Sequence, residues 1–390
     1  MKVINAYYYI ITFIGEGMIY FSIVFWLFIS SFSKSRYVFN TSIILTVLTC
    51  CLSFGYGYDW INYFDIYESI RNNENVSLPF EPGYYFFMLI MSKLNAPFQL
   101  LHVATTVIIF SFVYFFCKKT KNPNLSFFVV FSFMGFFMFM EQIRQGIAVS
   151  IVMFSTYLLV DGKKKKYFFM VLLAMCFHLT AIFGFTYYLL ASEKKRKFGK
   201  TIYVILSVSC IQFLLYSFEN PSLISFLPVV GQKIILYGLM NNSLDNSLFL
   251  KSSLVYIFII FICIYFQFKE KRLGLNYGKI DGAIYSSVFI WQTKAAFFLQ
   301  RIQYYAVAPL IVCLDDYFFV RKSFSISRVI FTLLVLIVAF MPMRFEIYRK
   351  SISMPIFIFS SETEIKIKIN QRCSDLLGVD ADNFIIKQCI

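Results

Sequence analysis

The sequence predicts an all-α, polytopic integral membrane protein of about ten to twelve transmembrane helices plus re-entrant or broken helices. Three observations lead there. The chain of 390 residues is 59% apolar and only 15% charged, whereas a soluble domain is about 45–50% apolar and about 25% charged. Its 50 Phe, 27 Tyr and 3 Trp make 21% of the chain aromatic. Apolar runs of membrane-crossing length alternate with short basic clusters. Together these exclude an ordinary soluble enzyme, a disordered chain and a fibrous repeat. The net charge of +15 would suggest nucleic acid in a soluble protein. Here the basic residues sit between apolar runs, the pattern of cytoplasmic loops, so the expected partner is membrane lipid and not nucleic acid.

Taken in order, the candidate spans are 7–32, 37–55, 97–117, 124–140, 143–160, 201–218, 249–267, 282–298, 300–319 and 328–343. The first is too long for the core of a cleavable signal and no small-residue cleavage site follows it, so it reads as a retained span. Lys34 and Arg36, Lys118 to Lys121, Lys163 to Lys166, Lys269 to Arg272, and Arg321 to Arg328 punctuate the series. With all of them cytoplasmic, most intervals hold an even number of crossings; the 37–117 interval also holds a short apolar piece, 83–95. The exception is 167–191, a single apolar stretch between the lysine runs at 163–166 and 194–197. Either the second run lies outside, or the stretch bends into two half-helices with His178 at its middle; the bent form is expected, because a broken helix is tolerated where it lines a cavity.

The membrane domain is therefore 1–360, with a polar tail at 361–390. In the tail, Glu362-Thr-Glu-Ile-Lys-Ile-Lys-Ile alternates polar and apolar residues and predicts a strand. Segment 56–82 is an acidic, aromatic extracytoplasmic loop holding Asp59, Asp65, Glu68, Glu74 and Glu81 against Arg71. Rings that stack on sugar faces, with carboxylates that accept from hydroxyls, suit carbohydrate; an interfacial aromatic belt explains the same composition.

Ionisable groups inside apolar runs are costly and mark function by default. Arg144 stands at the outer end of its span, where its donor fork suits phosphate; an arginine snorkelling to the interface is the plainer reading. Gly146 and Ala148 let another helix approach. His178 is a base, a phosphate donor or a satisfied core histidine; His102 reads as structural. Arg301 lies near the outer face, and Lys294 shares its helix face if the helix continues. Glu16 is a further acid in the first span. The nine cysteines form no CxxC pair, and Cys50, Cys51, Cys117, Cys176, Cys210, Cys263 and Cys313 fall in apolar runs as buried thiols. No DxD, HExxH, P-loop or GxSxG pattern stands in context, so neither a metal nor another cofactor is expected.

The order of Gly57-Tyr-Asp59-Trp-Ile-Asn-Tyr63, Glu81-Pro-Gly-Tyr84, Ile143-Arg-Gln-Gly-Ile-Ala148, Phe177-His178 and the Arg301 segment with Tyr305 resembles the EpsG branch of the Wzy-type polysaccharide (O-antigen) polymerases, over residues 37–320. The resemblance implies an architecture like that of GT-C membrane glycosyltransferases. It also implies a metal-independent enzyme of the bacterial inner membrane, working at its outer face. Such an enzyme joins undecaprenyl-diphosphate-linked oligosaccharides into O-antigen, capsule or exopolysaccharide, in company with flippase and chain-length-regulator proteins. On this resemblance Arg144 and Arg301 contact the diphosphate or growing chain, and Asp59, Tyr63, Glu81 and Tyr84 line the acceptor side. Gln145 and Tyr305, in the matched segments, join the substrate-binding set. His178 shapes the cavity or moves a proton, and Asp59, Glu81 and His178 compete as base. The chain departs from the family pattern near its end, where Met354-Pro355-Ile356 stands in place of a Pro-Tyr pair and the tail from Ser361 is additional. Two other classes remain: a lipid-linked oligosaccharide flippase, which would normally show internal repeats, and another glycan transferase such as an O-antigen ligase.

Overall fold

The computed structural model describes residues 18–74, 81–187, 254–272, 278–295, 298–315, 324–344, 346–353 and 355–380, with isolated positions between 202 and 223. Glu16 and Cys210 lie outside the described residues, as do, apart from isolated positions, the candidate span 201–218 and segment 219–248. The described chain is almost wholly helical and polytopic. Four helical segments are long and apolar enough to cross a membrane, 98–118, 123–141, 143–160 and 326–344, and four shorter apolar helices accompany them.

The N-terminal half begins with α1 (Met18–Ser30), α2 (Arg36–Leu52), the two-residue strand β1 (Ser53–Phe54), α3 (Asp59–Arg71), α4 (Pro82–Lys93) and α5 (Phe98–Lys118). Then comes α6 (Pro123–Met134), whose sequence is apolar on every side and whose every residue is buried, as such a pattern requires. Its start is fixed by Asn122, whose side chain accepts from the Leu125 N–H at 3.1 Å, with Pro123 in the first turn. It runs on as a π-helix over Gly135–Glu141. Next, α7 (Ile143–Val160) packs against this segment at Gly146, where a Cβ would overlap the Met138 carbonyl oxygen. This is the close approach that the small residue predicts.

α8 (Lys164–Met175) ends at a break, and the chain turns back as a 3-10 helix over Leu179–Thr186. The Tyr167 hydroxyl, near the start of α8, donates to the Gly184 carbonyl at 2.5 Å, and its ring lies 6.3 Å from that of Tyr187. The stretch is thus bent at His178, with two half-helices lying side by side. Cys176, at the bend, is exposed and not a buried thiol. Its backbone carbonyl accepts from the Gly83 N–H of α4 at 2.7 Å.

The C-terminal half holds α9 (Leu254–Arg272), α10 (Gly278–Gln292), α11 (Val307–Leu314), α12 (Ile326–Phe340), α13 (Glu346–Ser353), β2 (Ile356–Phe357) and α14 (Glu362–Asp380). Between α10 and α11 the chain runs in 3-10 turns over Thr293–Ala295, Phe298–Arg301 and Gln303–Ala306. Lys294 and Arg301 therefore do not share one continuous helix face. The Lys294 ammonium instead lies 4.8 Å from the Tyr256 ring centroid.

The tail is a helix, not a strand. Ser361 Oγ accepts from the Glu364 N–H at 3.3 Å, and Glu364 Oε2 accepts from the Ser361 N–H at 2.9 Å, a capping box that starts α14. Lys366 pairs with Glu362 at 2.8 Å one turn on. Ile365, Ile369 and Cys373 bury one helical face. The alternation of polar and apolar residues is the shadow of that face, and the cap decides between the two periods.

Lys34 and Arg36, Lys118 to Lys121, and Arg328 gather at one end of the bundle. Arg328 is fully buried and donates to the Ser31 carbonyl at 2.7 Å, where α1 ends. Asn124 donates to the Ser33 and Ser35 carbonyls, and the Lys121 N–H donates to Asp315. The opposite end is built from the C-terminal ends of α2, α6 and α12, the N-terminal ends of α5 and α7, and helices α3, α13 and α14. There β1 pairs antiparallel with β2, Ser53 opposite Phe357 and Phe54 opposite Ile356. His102 is buried and bonds the Cys50 carbonyl at 2.9 Å, the structural role expected of it.

Candidate functional site

The segment expected as an outer loop is largely helix α3. Trp60, Ile61, Tyr63, Phe64, Tyr67 and Ile70 form its buried face. Asp59 lies in its first turn and Arg71 in its last, each at the end where the helix dipole favours its charge. Asp65 lies on the same helix, and burial pushes its carboxyl up to about 6. The site forms where α3 and α4 meet the start of α7, the His178 bend and the 3-10 turns before α11.

Arg144 sits in the first turn of α7, where the dipole is unfavourable to a cation. Glu81, just before α4, compensates: its Oε2 lies 2.7 Å from Arg144 Nη1. The other carboxylate oxygen accepts from the Leu179 N–H at 3.1 Å, tying the His178 bend to the same acid. Burial alone would raise the Glu81 carboxyl. Arg144, His178 and the Leu179 N–H outweigh that and hold it below its ordinary value. The Arg144 guanidinium also lies over the Tyr63 ring, 5.4 Å from its centroid, and the rings of Tyr63 and Tyr84 are 5.9 Å apart. Burial pushes the Tyr63 phenol up to about 12, against the pull of Arg144.

A second arginine–carboxylate pair stands beside the first. Arg301 Nη2 lies 3.7 Å from Asp59 Oδ2. The two pairs are joined by Gln145, next to Arg144, which donates to the Arg301 carbonyl at 2.6 Å. The irregular turns around Arg301 are what free that carbonyl for a side chain. On the other flank His178 Nδ1 meets Thr180 Oγ1 at 2.7 Å, and Thr180 Oγ1 meets the Tyr305 hydroxyl at 3.1 Å.

All nine residues singled out in the sequence thus join one chain of contacts: Asp59, Tyr63, Glu81, Tyr84, Arg144, Gln145, His178, Arg301 and Tyr305. The pairs differ in tightness. Arg144 and Glu81 have side chains 17% and 21% exposed, whereas Arg301 and Asp59 are 30% and 31% exposed and farther apart. The Asp59 carboxylate is the more accessible of the two acids. Three residues that the sequence reading passed over also belong here. Thr180 bridges His178 to Tyr305, and Glu141 ends the π-helix beneath Tyr58. Arg372 on α14 donates to the Gly55 and Ser351 carbonyls at 2.9 and 2.7 Å.

A family model for the EpsG family matches residues 36–361. The chain belongs to the EpsG family. This is a family of the Wzy-like polysaccharide polymerase type. The match takes in every residue of the two arginine–carboxylate pairs and stops just before α14, so Arg372 lies beyond it. No curated protein and no solved structure matches the chain significantly.

Proposed function

We propose that this EpsG-family protein polymerises lipid-linked oligosaccharide repeat units, transferring the growing glycan from undecaprenyl diphosphate to the next lipid-linked unit. The observation that carries the reading is the side-by-side placement of Arg144–Glu81 and Arg301–Asp59, joined through Gln145. Two guanidiniums suit the charges of a diphosphate, and each rests on a carboxylate that an incoming phosphate can replace.

In the reaction a hydroxyl of the acceptor sugar attacks the anomeric carbon of the donor. The bond from that carbon to the phosphate oxygen breaks, and the diphosphate leaves with its lipid. Arg144 and Arg301 stabilise the charge that develops on the leaving group. The hydroxyl proton passes to Asp59. Glu81 suits that role less, because both its oxygens already accept hydrogen bonds and its proton affinity is lowered. Tyr63 and Tyr84 supply ring faces for the acceptor. His178, through Thr180, orients the Tyr305 hydroxyl.

The reading places the site at the outer face of the bacterial inner membrane. In support, the basic residues at 34–36, 118–121 and 328 collect at the far end of the bundle, and such clusters mark the cytoplasmic side. The test is the length distribution of surface polysaccharide in a strain carrying Arg144→Ala, with membrane insertion checked by blotting. A ladder collapsed to single repeat units is the expected result, and a wild-type ladder would overturn the proposal. Lipid-linked polymer that accumulates without reaching the surface would instead indicate a ligase or exporter.

A further inference from the structure

α6 departs from α-helical winding over Gly135–Glu141, and π-segments within helices are frequent at functional sites. This one ends on Glu141, whose side chain points beneath the turn that leads into α3. Glu141 is 5% exposed. Its Oε1 accepts from the Tyr58 N–H at 3.4 Å, and its Oε2 has no hydrogen-bond partner among the described residues. Gly57 closes over the carboxyl with φ +73°, and a Cβ there would overlap it. The backbone between Gly55 and Tyr58 is therefore shaped around this acid, and the next residue along is Asp59. The charged and titratable groups around Glu141 are Asp59, Arg301, Tyr304, Tyr348 and Arg372.

We propose that Glu141 and Asp59 form a coupled carboxyl pair that carries a single proton, with Glu141 the positioning residue and Asp59 the member that meets substrate. The inference rests on the transfer reaction proposed above and adds a residue to it. A buried carboxylate oxygen without a donor is far more costly than a protonated carboxyl in the same place. Two neighbouring carboxylates in a site shielded from water ionise in separate steps. The proton stays on Glu141, the deeper acid, and Asp59 keeps its charge to accept the hydroxyl proton. If Glu141 also ionised, a second negative charge behind Asp59 would compete for Arg301 and draw it from the diphosphate. The reactive form of the pair carries a single proton, and activity falls on both sides of it.

Two measurements on full-length protein decide this. The first is the pH profile of glycan elongation in membrane vesicles that contain the native lipid-linked units. Wild type should give a bell. Glu141→Gln, which keeps the neutral charge of the protonated acid, should lose the alkaline limb of the bell. A profile that keeps its alkaline limb, at any rate, would overturn the pair. The second is an infrared titration of the purified protein without substrate. A protonated-carboxyl band at neutral pH, lost in Glu141→Gln, is expected; a band that survives the substitution, or is missing from wild type, overturns the proposal. The infrared result does not depend on the reaction. Wild-type vesicles that fail to elongate while the band behaves as expected would count against the polymerase reading and leave the carboxyl pair standing.

Discussion

Arg144 and Glu81, 63 residues apart in the chain, meet at 2.7 Å across the junction of α7 and α4. The contact joins a cation in the first turn of a membrane span to an acid at the start of the short helix α4. Each makes the other tolerable at that depth. Removing one partner leaves the other uncompensated, which costs about 3 kcal/mol at a partly buried site. Arg144→Ala is expected to lower the thermal midpoint in detergent and to slow elongation at least about a hundredfold. Arg144→Lys should recover most of the stability and little of the rate, because an ammonium lacks the planar fork. Thermal scanning beside vesicle elongation separates the two effects.

The unequal tightness of the two pairs separates the roles of the acids. Asp59→Asn is expected to cut kcat by about 10²–10⁴, the usual contribution of a general base, with little change in KM. Glu81→Gln is expected to act mainly on KM for the lipid-linked donor, because it disturbs how Arg144 is held. Reversal of these two patterns would move the base to Glu81.

Two carboxyls give the fold opposite responses to pH. The Glu81 carboxyl is held below 4.5 in the folded chain, so its contribution is present above 4.5 and is lost as the pH falls through the lowered value. Asp65 is raised by burial from 3.8 to about 6, so its contribution is full below 3.8 and is lost as the pH rises through about 6. Asp65→Asn is therefore expected to raise the thermal midpoint at pH 7.5, with a gain that shrinks towards pH 5. An equal gain at both values would show that burial of the charge is not the cause.

Arg372 ties the tail to the turn ahead of Asp59. Its donors reach the Gly55 and Ser351 carbonyls, and its guanidinium lies 5.7 Å from the Tyr58 ring centroid. Arg372→Ala strips two carbonyls of a buried donor, at about 1–3 kcal/mol each where water does not replace it. Limited proteolysis between β1 and α3 should become faster, and elongation should fall although residue 372 lies beyond the family match. Unchanged cleavage would show that the turn holds without the tail.

Much of this site was legible because a polar group in an apolar run stands out. Arg144, His178 and Arg301 carry that signal, and Asp59, Tyr63, Glu81 and Tyr84 carry the acidic, aromatic one. The fold around them was harder to read. The bend at His178 was legible from the single stretch 167–191 between two lysine runs, whereas the break at Thr293–Arg301 has no proline or glycine pair to announce it; tertiary packing sets it. Glu141 stands three residues before Arg144, and its spacing suggests an interfacial acid. Only the wider winding of the π-helix turns it under Tyr58. Arg372 lies in a polar tail, where one more basic residue carries no information. The helix that bears it did have a signal in Ser361 and Glu364, whose spacing is that of a capping box.

The reach of α14 back to Gly55 bears on how the topology of this chain is mapped. Reporter enzymes are commonly fused to a nested series of C-terminal truncations, and each fusion is taken to report the side reached by its last residue. Here every truncation that ends before residue 372 releases the turn between β1 and α3 as well. A reporter joined upstream of that residue is read out from a protein whose far end has lost its fastening. Single accessible cysteines placed in the intact chain, or reporters inserted with the tail left in place, keep Arg372 on the Gly55 and Ser351 carbonyls while orientation is measured.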